Sequence, residues 1–298
     1  MKRFALIFSM LLCLFLSCVF LCFSDNVKAV SPEKNDDIVM VQNHLTEQNA
    51  SVNEQQCDYA VSLFNRIYDE QLSDLDCYFV LIPDKYIYLS DSKESYDKTY
   101  DYMCNSLSRF KPIDVYDLLC ADDYFYTDMH LRQECITDVA KRINESMGNS
   151  FYSDFKKSLA SENFLGDYAQ KYAKKVDAEE LFYLTNKQID KLYTKENIPI
   201  YDFEMLKTNK LYEFFLSGNQ SIVTIKNDNA QSDKRLIIFR DSFASNIAPL
   251  LTFDYSEVVL VDLRYILSDV VPEYVDYSNS DVLFMYSTAL INNSLSMK

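Results

Sequence analysis

The sequence predicts an α/β fold built on a mainly parallel sheet with helices on both faces. First, it contains short, almost wholly apolar runs, such as residues 78–82 and 235–239, which are typical of strands buried on both faces. Second, segments with helical spacing lie between these runs, as in folds where helices connect successive parallel strands. Third, 48% of the 298 residues are hydrophobic, which is enough for a sizeable core.

The predicted elements follow one another along the chain. Pro83 ends the first strand, because proline cannot donate to a strand ladder, and Pro249 limits a later helix. In order, we expect a helix at 59–68, strand 78–82, helix 96–107, strand 113–116, helix 132–143, strands 221–225 and 235–239, helix 243–251, and strands 257–261 and 282–286.

The N-terminus has the pattern of an export signal. Lys2 and Arg3 precede the mostly apolar, uncharged residues 4–23, and small or apolar residues allow cleavage after Ala29. The apolar run is also long enough to span a bilayer, and Cys18 gives a weak match to a lipobox. Residues 1–29 are therefore predicted to be a signal peptide or a membrane anchor. Either way the remainder would be extracytoplasmic, secreted or held at the outer face of the cytoplasmic membrane.

Residues 30–56 are polar and without clear periodicity, so they are predicted to form a tether. His44 is expected to be a solvated residue within it. The predicted α/β domain then covers residues 57–298.

Composition excludes several classes of function. The net charge of −16 opposes a nucleic-acid partner, because phosphate contacts need a basic face. It also makes a polyanionic glycan an unfavourable substrate, unless Arg264 and its neighbours form a local basic site. Only three glycines occur, too few and too scattered for a phosphate-binding loop, and two histidines cannot build a His-rich metal centre. We therefore expect no cofactor and no metal.

Five cysteines lie beyond the N-terminal segment, at positions 57, 77, 104, 120 and 135. Export would permit disulfides, and an odd number leaves at least one thiol free or paired between chains. Buried, unpaired cysteines are the alternative.

Ser242 is the first candidate for chemistry. It closely follows the apolar strand 235–239 and opens a helix, and ligands of open α/β sheets bind at such carboxyl ends of strands. Free N–H groups at the start of that helix would stabilise an oxyanion if the serine attacked an ester carbonyl. The alternative is a capping role, since serine and aspartate are good helix N-caps.

His130 is the second candidate. A serine hydroxyl becomes a good nucleophile only when a base takes its proton and a third group orients that base. Asp128 lies two residues before His130, so in extended chain both side chains point to the same side. The alternative is a surface histidine in a polar loop.

Together these motifs resemble a known family. Residues 124–131 (Tyr-Phe-Tyr-Thr-Asp-Met-His-Leu) resemble the Tyr-Tyr-x-Thr-Asp-His-His-Trp signature of the bacterial DHHW family, which is similar to SGNH-like polysaccharide O-acetyltransferases of the alginate-acetylation type. Residues 236–244 look like that family's strand-Lys/Arg-Asp-Ser-Phe block and residues 261–265 like its Asp-x-Arg-Tyr motif. Residues 82–85 and 217–219 match its early strand and its Gly-Gly-Asn turn. The resemblance runs in order from about residue 57 to the C-terminus.

The resemblance implies an SGNH-like three-layer α/β/α sandwich with a permuted order of motifs. It implies that Ser242 is the nucleophile, His130 the general base and Asp128 the acid that orients it. Arg264 would hold donor or glycan, and Asn219 would contact an oxyanion. Tyr126 and Arg240 flank the catalytic positions and would shape the pocket. The alternative is that Tyr126 is a packed aromatic residue and Arg240 a surface cation.

The implied function is an extracytoplasmic serine enzyme that O-acetylates or deacetylates a cell-envelope or exported polysaccharide through an acyl-serine. A glycan would be the partner, with a membrane protein as acetyl donor. Three positions depart from the family pattern: Met129, Leu131 and Ser217. They leave open an inactive member that binds glycan or assists polysaccharide assembly, and transferase and esterase are not distinguished.

Overall fold

The computed structural model describes residues 38–48, 53–152, 154–172 and 175–298. The predicted signal or anchor, with its cysteines 13, 18 and 22, lies outside the described residues. Within the described ranges no helix is both long and apolar enough to cross a bilayer.

The described strands form one large sheet and two small ones. They are β1 (Ile38–Val41), β2 (His44–Glu47), β3 (Asp76–Ile82), β4 (Lys111–Pro112), β5 (Lys156–Phe164), β6 (Glu179–Thr185), β7 (Tyr193–Thr194), β8 (Ile222–Lys226), β9 (Arg235–Arg240), β10 (Glu257–Val261) and β11 (Ser280–Ser287). The large sheet has the order β4-β3-β11-β9-β10-β8-β7, while β1 pairs with β2 and β5 with β6. Its first five strands are parallel, β8 is antiparallel to β10, and β7 is antiparallel to β8, so the expectation of a mainly parallel sheet is confirmed.

Short helices connect or flank these strands. They are α1 (Glu54–Ile67), α2 (Lys85–Leu89), α3 (Lys93–Ser106), α4 (Thr137–Ser146), α5 (Asp167–Lys171), α6 (Ala244–Ile247) and α7 (Thr288–Ile291). The side chain of Asn53 accepts the N–H of Gln56 and begins α1, and Asp84 accepts the N–H of Tyr86 and begins α2.

Apolar side chains on both faces of the sheet confirm the three-layer α/β/α architecture. Val80 of β3 packs in a cluster with Val139 of α4. The adjacent Phe79 points to the other face and packs in a cluster with Phe64 of α1. Successive strand residues alternate between faces, so an all-apolar strand needs a helical layer on each side.

One edge of the sheet gathers the functional segments. The parallel strands β3, β9, β10 and β11 all end there. Antiparallel β8 begins at the same edge, where Ile222 is paired with Val261. The segments after residues 82, 240, 261 and 287 therefore meet in space.

The prediction of a tether is wrong for residues 38–47, which form the hairpin β1–β2. Leu45 and His44 are each 1% exposed. The N–H of Leu45 donates to the carbonyl of Tyr126 at 2.7 Å, and His44 Nε2 lies 3.3 Å from Asp122 Oδ1. The turn residues at positions 42 and 43 have φ values of 48° and 69°, as a tight two-residue hairpin requires. Four-residue strands are too short to show a clear period in the sequence.

Two further boundaries differ from the prediction. The strand expected at 113–116 does not form, since β4 ends at Pro112 and the carboxylate of Asp114 accepts the N–H of Tyr116, which bends the chain. The helix expected from residue 132 begins as α4 at Thr137, after a 3-10 turn over Gln133–Cys135.

We expect Leu45→Ala to lower the free energy of unfolding by about 2–5 kcal/mol, because it leaves a cavity beneath the hairpin. Met40→Ala, on the same hairpin at a side chain that is 45% exposed, should change it little. Urea unfolding of both variants measures the difference. Equal stabilities would mean that the hairpin is not part of the cooperative fold.

Candidate active site

Ser242 lies at the carboxyl end of β9, in a turn held by its neighbour Asp241. The Asp241 carboxylate accepts the N–H of Phe243 at 2.9 Å. It also accepts the N–H and the O–H of Ser287 at 2.8 and 2.6 Å. The turn is thereby fixed to the end of β11. Because the N–H of Phe243 is already used, it is not the free oxyanion donor expected from a helix start.

The structure brings Ser242, His130 and Asp128 together. His130 Nε2 lies 2.8 Å from Ser242 Oγ, and His130 Nδ1 lies 2.5 Å from Asp128 Oδ1. An ionised carboxylate only accepts hydrogen bonds, so Nδ1 carries the proton and Nε2 presents its lone pair to the serine hydroxyl. Residues 112 positions apart thus have the mutual geometry of a Ser-His-Asp triad.

Asp128 is 1% exposed and is held as a carboxylate. It also accepts the backbone N–H groups of His130 at 3.0 Å and of Asp167 at 2.8 Å. Burial opposes its ionisation, but the charge of His130 and these hydrogen bonds outweigh burial and lower the pKa of Asp128 to about 2. It therefore remains charged and fixes the histidine at any pH near neutrality.

Gly166 permits the close packing behind this carboxylate. A Cβ at position 166 would lie 2.2 Å from Asp128 Cβ and 2.5 Å from its Oδ2, well inside van der Waals contact. The N–H of Gly166 donates to Thr127 Oγ1 at 3.0 Å. The sequence indicates no such role, because Gly166 belongs to no motif.

The buried Lys85 binds the backbone of the segment that carries Asp128 and His130. It is 1% exposed, and its Nζ donates to the carbonyls of Phe125 at 2.9 Å and Asp128 at 2.6 Å. Burial lowers the pKa of Lys85 to about 8, although the carboxylates of Asp128, Asp84 and Glu179 oppose that shift. Lys85, the last residue of the motif at 82–85, thus holds the segment that carries His130 in place and does not contact Ser242.

Tyr212 supplies the aromatic surface against the histidine. Its ring stacks on His130 with a centroid distance of 3.6 Å and an angle of 6°, and Phe243 packs near the same imidazole at 4.9 Å. The Tyr212 hydroxyl donates to the carbonyl of Ser242 at 3.2 Å. Leu131, which stands where the family has Trp, is instead fully buried in the core. Nothing in the sequence places Tyr212 beside His130.

Two side-chain amides connect the segment around His130 to helix α6, which follows Ser242. Asn246 Nδ2 donates to the carbonyl of Leu131 at 2.7 Å, and Gln133 Nε2 donates to the carbonyl of Asn246 at 2.7 Å. These bonds set the distance between the two segments that carry His130 and Ser242.

A cavity of about 360 Å³ opens beside Ser242 and His130. Three of the predicted substrate residues, Arg264, Asn219 and Arg240, line it, as does Met129. Arg264 donates from Nε and Nη2 to the carboxylate of the buried Asp262 at 2.9 and 2.6 Å. A larger hollow of about 590 Å³ between α1 and α3 contains none of the triad residues.

Arg240 is buried, at 1% exposure, rather than a surface cation. Its Nη1 donates to the carbonyl of Asp241 and to Ser245 Oγ, each at 3.3 Å. Within the described residues its Nε and Nη2 have no hydrogen-bond partner. Burial lowers its pKa, opposed by the charge of Asp262. Arg240 therefore retains N–H groups that are buried and unused.

The prediction that Tyr126 shapes the catalytic pocket is wrong. Its ring lies 4.5 Å from that of His44, and it lines a separate cavity of about 410 Å³ beneath the hairpin. Its N–H donates to Glu179 Oε2 at 2.9 Å. The side chain thus supports the histidine segment from behind.

The five cysteines of the described residues are free thiols, two of them buried. The alternative of unpaired cysteines therefore describes this structure. Among the described side chains, no group of His, Cys, Asp and Glu is arranged to hold a metal ion.

No family model and no curated protein matches the sequence, whereas several solved structures share the fold. A DHHW family protein from Eubacterium siraeum is 19% identical, with a TM-score of 0.67 over 87% of this chain and 93% of its own. Bacillus cereus PatB1, solved with a sulfonyl adduct, is 21% identical, with a TM-score of 0.65 over 85% and 95%. The O-acetyltransferase domain of Pseudomonas putida AlgJ is 9% identical, with a TM-score of 0.55 over 86% and 92%. The resemblance expected from the motifs is confirmed at the level of the fold.

We expect Gly166→Ala to slow the labelling of Ser242 by a sulfonyl fluoride about 100-fold, because a displacement of about 1 Å at a reacting group has an effect of that size. The matched control is Gly148→Ala, which introduces backbone strain at φ 78° but places no atom near the triad. Mass spectrometry of the labelled serine gives both rates. Equal rates in the two variants would contradict the role of Gly166.

The stacking of Tyr212 predicts that Tyr212→Leu lowers the same labelling rate by roughly two- to tenfold, since an aromatic pair contributes about 0.5–1.5 kcal/mol. Tyr212→Phe retains the ring and should lose less. Both variants are compared with the wild-type protein in the same assay. A larger loss in Tyr212→Phe would assign the effect to the hydroxyl instead.

Proposed function

We propose that this protein is an extracytoplasmic serine O-acyltransferase that moves an acetyl group to or from a glycan through an acyl-serine. The observation that carries the proposal is the continuous chain of contacts from Asp128 through His130 to Ser242 Oγ. The shared fold with an O-acetyltransferase domain and a DHHW family protein supports the same chemistry.

In the first step, Ser242 Oγ attacks the carbonyl carbon of the acetyl donor while its proton moves to His130 Nε2. The carbonyl oxygen becomes an oxyanion, and we assign as its donors the amide of Asn219 and the guanidinium of Arg240, because both residues line the cavity beside Ser242. The oxyanion then collapses, the donor's C–O bond breaks, and His130 returns the proton to the leaving oxygen.

In the second step, an acceptor hydroxyl attacks the acetyl-serine. His130 Nε2 takes its proton and then gives it to Ser242 Oγ as the ester bond breaks, which restores the enzyme. A sugar hydroxyl yields an acetylated glycan, and water yields free acetate. Asp128 remains ionised throughout and stabilises the imidazolium.

We place the reaction outside the cytoplasm because of the basic and apolar N-terminal segment in the sequence. Acetyl donors are made inside the cell, so a membrane protein would have to pass the acetyl group across. A glycan of the envelope or an exported polysaccharide is then the accessible acceptor.

The geometry favours an enzyme over a protein that only binds glycan. A binding cleft has no need of a carboxylate that is 1% exposed and aimed at an imidazole, because burying a charge is costly unless it is fully bonded. Met129 does not disturb this arrangement, since its side chain lines the cavity while His130 faces the serine.

Ser242→Ala and His130→Ala should each lower acetate release from an activated acetyl ester by about 10⁴-fold, as for other serine triads. The control is Ser73→Ala, an exposed serine before β3 at the opposite edge of the sheet, which should retain the wild-type rate. Release that survives both triad substitutions would contradict the proposal.

Transfer and hydrolysis are separated by adding oligosaccharide acceptors to the same assay. A transferase converts free acetate into acetylated sugar as acceptor concentration rises, measured by mass spectrometry. An esterase releases the same acetate at every acceptor concentration.

A further inference from the structure

The cations around the catalytic cavity are neutralised by carboxylates. Lys210 Nζ lies 2.9 Å from Glu213 Oε1. Arg264 makes a two-point contact with Asp262, the buried Arg240 lies 3.9 Å from the same carboxylate, and the charge of Asp241 acts on both arginines. The local basic site that a polyanionic glycan would need is therefore absent from the described part of this cavity.

Asp167 adds negative charge to the cavity without making an ion pair. It is exposed and lines the cavity, and no cation of the described residues lies within ion-pair distance of it, although the charges of Lys171 and Lys210 act on it from farther away. Partial burial and the neighbouring charge of Asp128 raise its pKa, and the charges of His130 and Lys171 oppose that shift. With a net charge of −16 on the whole chain, an approaching anion is repelled both locally and at long range.

Tyr265 offers an uncharged contact at the same cavity. It lines the wall next to Arg264, and its side chain is 46% exposed. Arg264 Cζ lies 5.5 Å from the centroid of this ring, and the exposed part of the ring can pack against the apolar C–H face of a sugar. The cavity thus combines an aromatic surface with acceptor oxygens suited to hydroxyl groups.

We propose that this cavity selects an uncharged sugar as acceptor and rejects sugars that carry a carboxylate or sulfate. The inference rests on the proposed function, because it assigns the acceptor of the acetyl-serine. Asp167 acts here as a specificity residue, through its charge, on whatever approaches Ser242.

The test uses two sulfonyl fluorides of similar shape that differ in charge, the neutral 4-carbamoyl- and the anionic 4-carboxy-benzenesulfonyl fluoride. Each labelling rate is divided by the hydrolysis rate of the same reagent in buffer, which corrects for the difference in intrinsic reactivity. The neutral reagent should label Ser242 faster at low salt. Asp167→Asn should lower the ratio of the neutral to the anionic labelling rate about threefold, which is the effect of one charge roughly 6 Å away in water. High salt should lower the same ratio, because it screens the charge. The control Asp74→Asn removes an exposed charge before β3, far from the cavity, and should leave the ratio unchanged.

Faster labelling by the anionic reagent, or an equal ratio in wild type and Asp167→Asn, would overturn the inference while leaving the proposed function intact. If neither reagent labels Ser242 faster than in His130→Ala, the proposed function fails. The charge inference is then decided by calorimetry with β-1,4-linked mannose and mannuronate hexamers. The charge inference is supported if the neutral hexamer binds more tightly than the anionic one and if Asp167→Asn reduces that difference in affinity. Any other result overturns it.

Discussion

The buried carboxylate of Asp128 is the constraint on which the site depends. A charge that is 1% exposed must be surrounded by donors, and here two backbone N–H groups and the imidazole of His130 provide them. To bring the N–H of Asp167 within reach, position 166 must lack a side chain. The orientation of the histidine is thus a consequence of satisfying one charge.

The parallel sheet explains why distant segments meet at this charge. The strands β9, β10 and β11 are adjacent and end together, so Ser242, the Asp262–Arg264 pair and Ser287 emerge side by side. Asp241 then joins two of these ends by accepting from Ser287. The histidine segment lies across them and is held by Asn246 of α6. The rigid scaffold positions a triad whose members come from two loops.

The aromatic ring that covers His130 comes from a residue far away in sequence. Leu131 fills the core where the family has Trp, while the ring of Tyr212, 82 positions after His130 in the printed sequence, covers the imidazole. Charge near the site is also balanced between residues, since Asp262 pairs with Arg264 and lies near Arg240. The surroundings of the site are therefore set by contacts between segments and not by the motifs alone.

The sequence by itself determined the apolar strands, the three-layer fold and the choice of Ser242, His130 and Asp128 as candidate site residues, because strand burial and short motifs are encoded locally. It misassigned His44 and Tyr126, which pack on each other only after the hairpin docks, and it missed Gly166 and Tyr212. Those roles depend on what lies across a contact in space. Only the tertiary structure, through close packing and the pairing of buried charges, decided which residues hold the histidine and what charge the cavity presents.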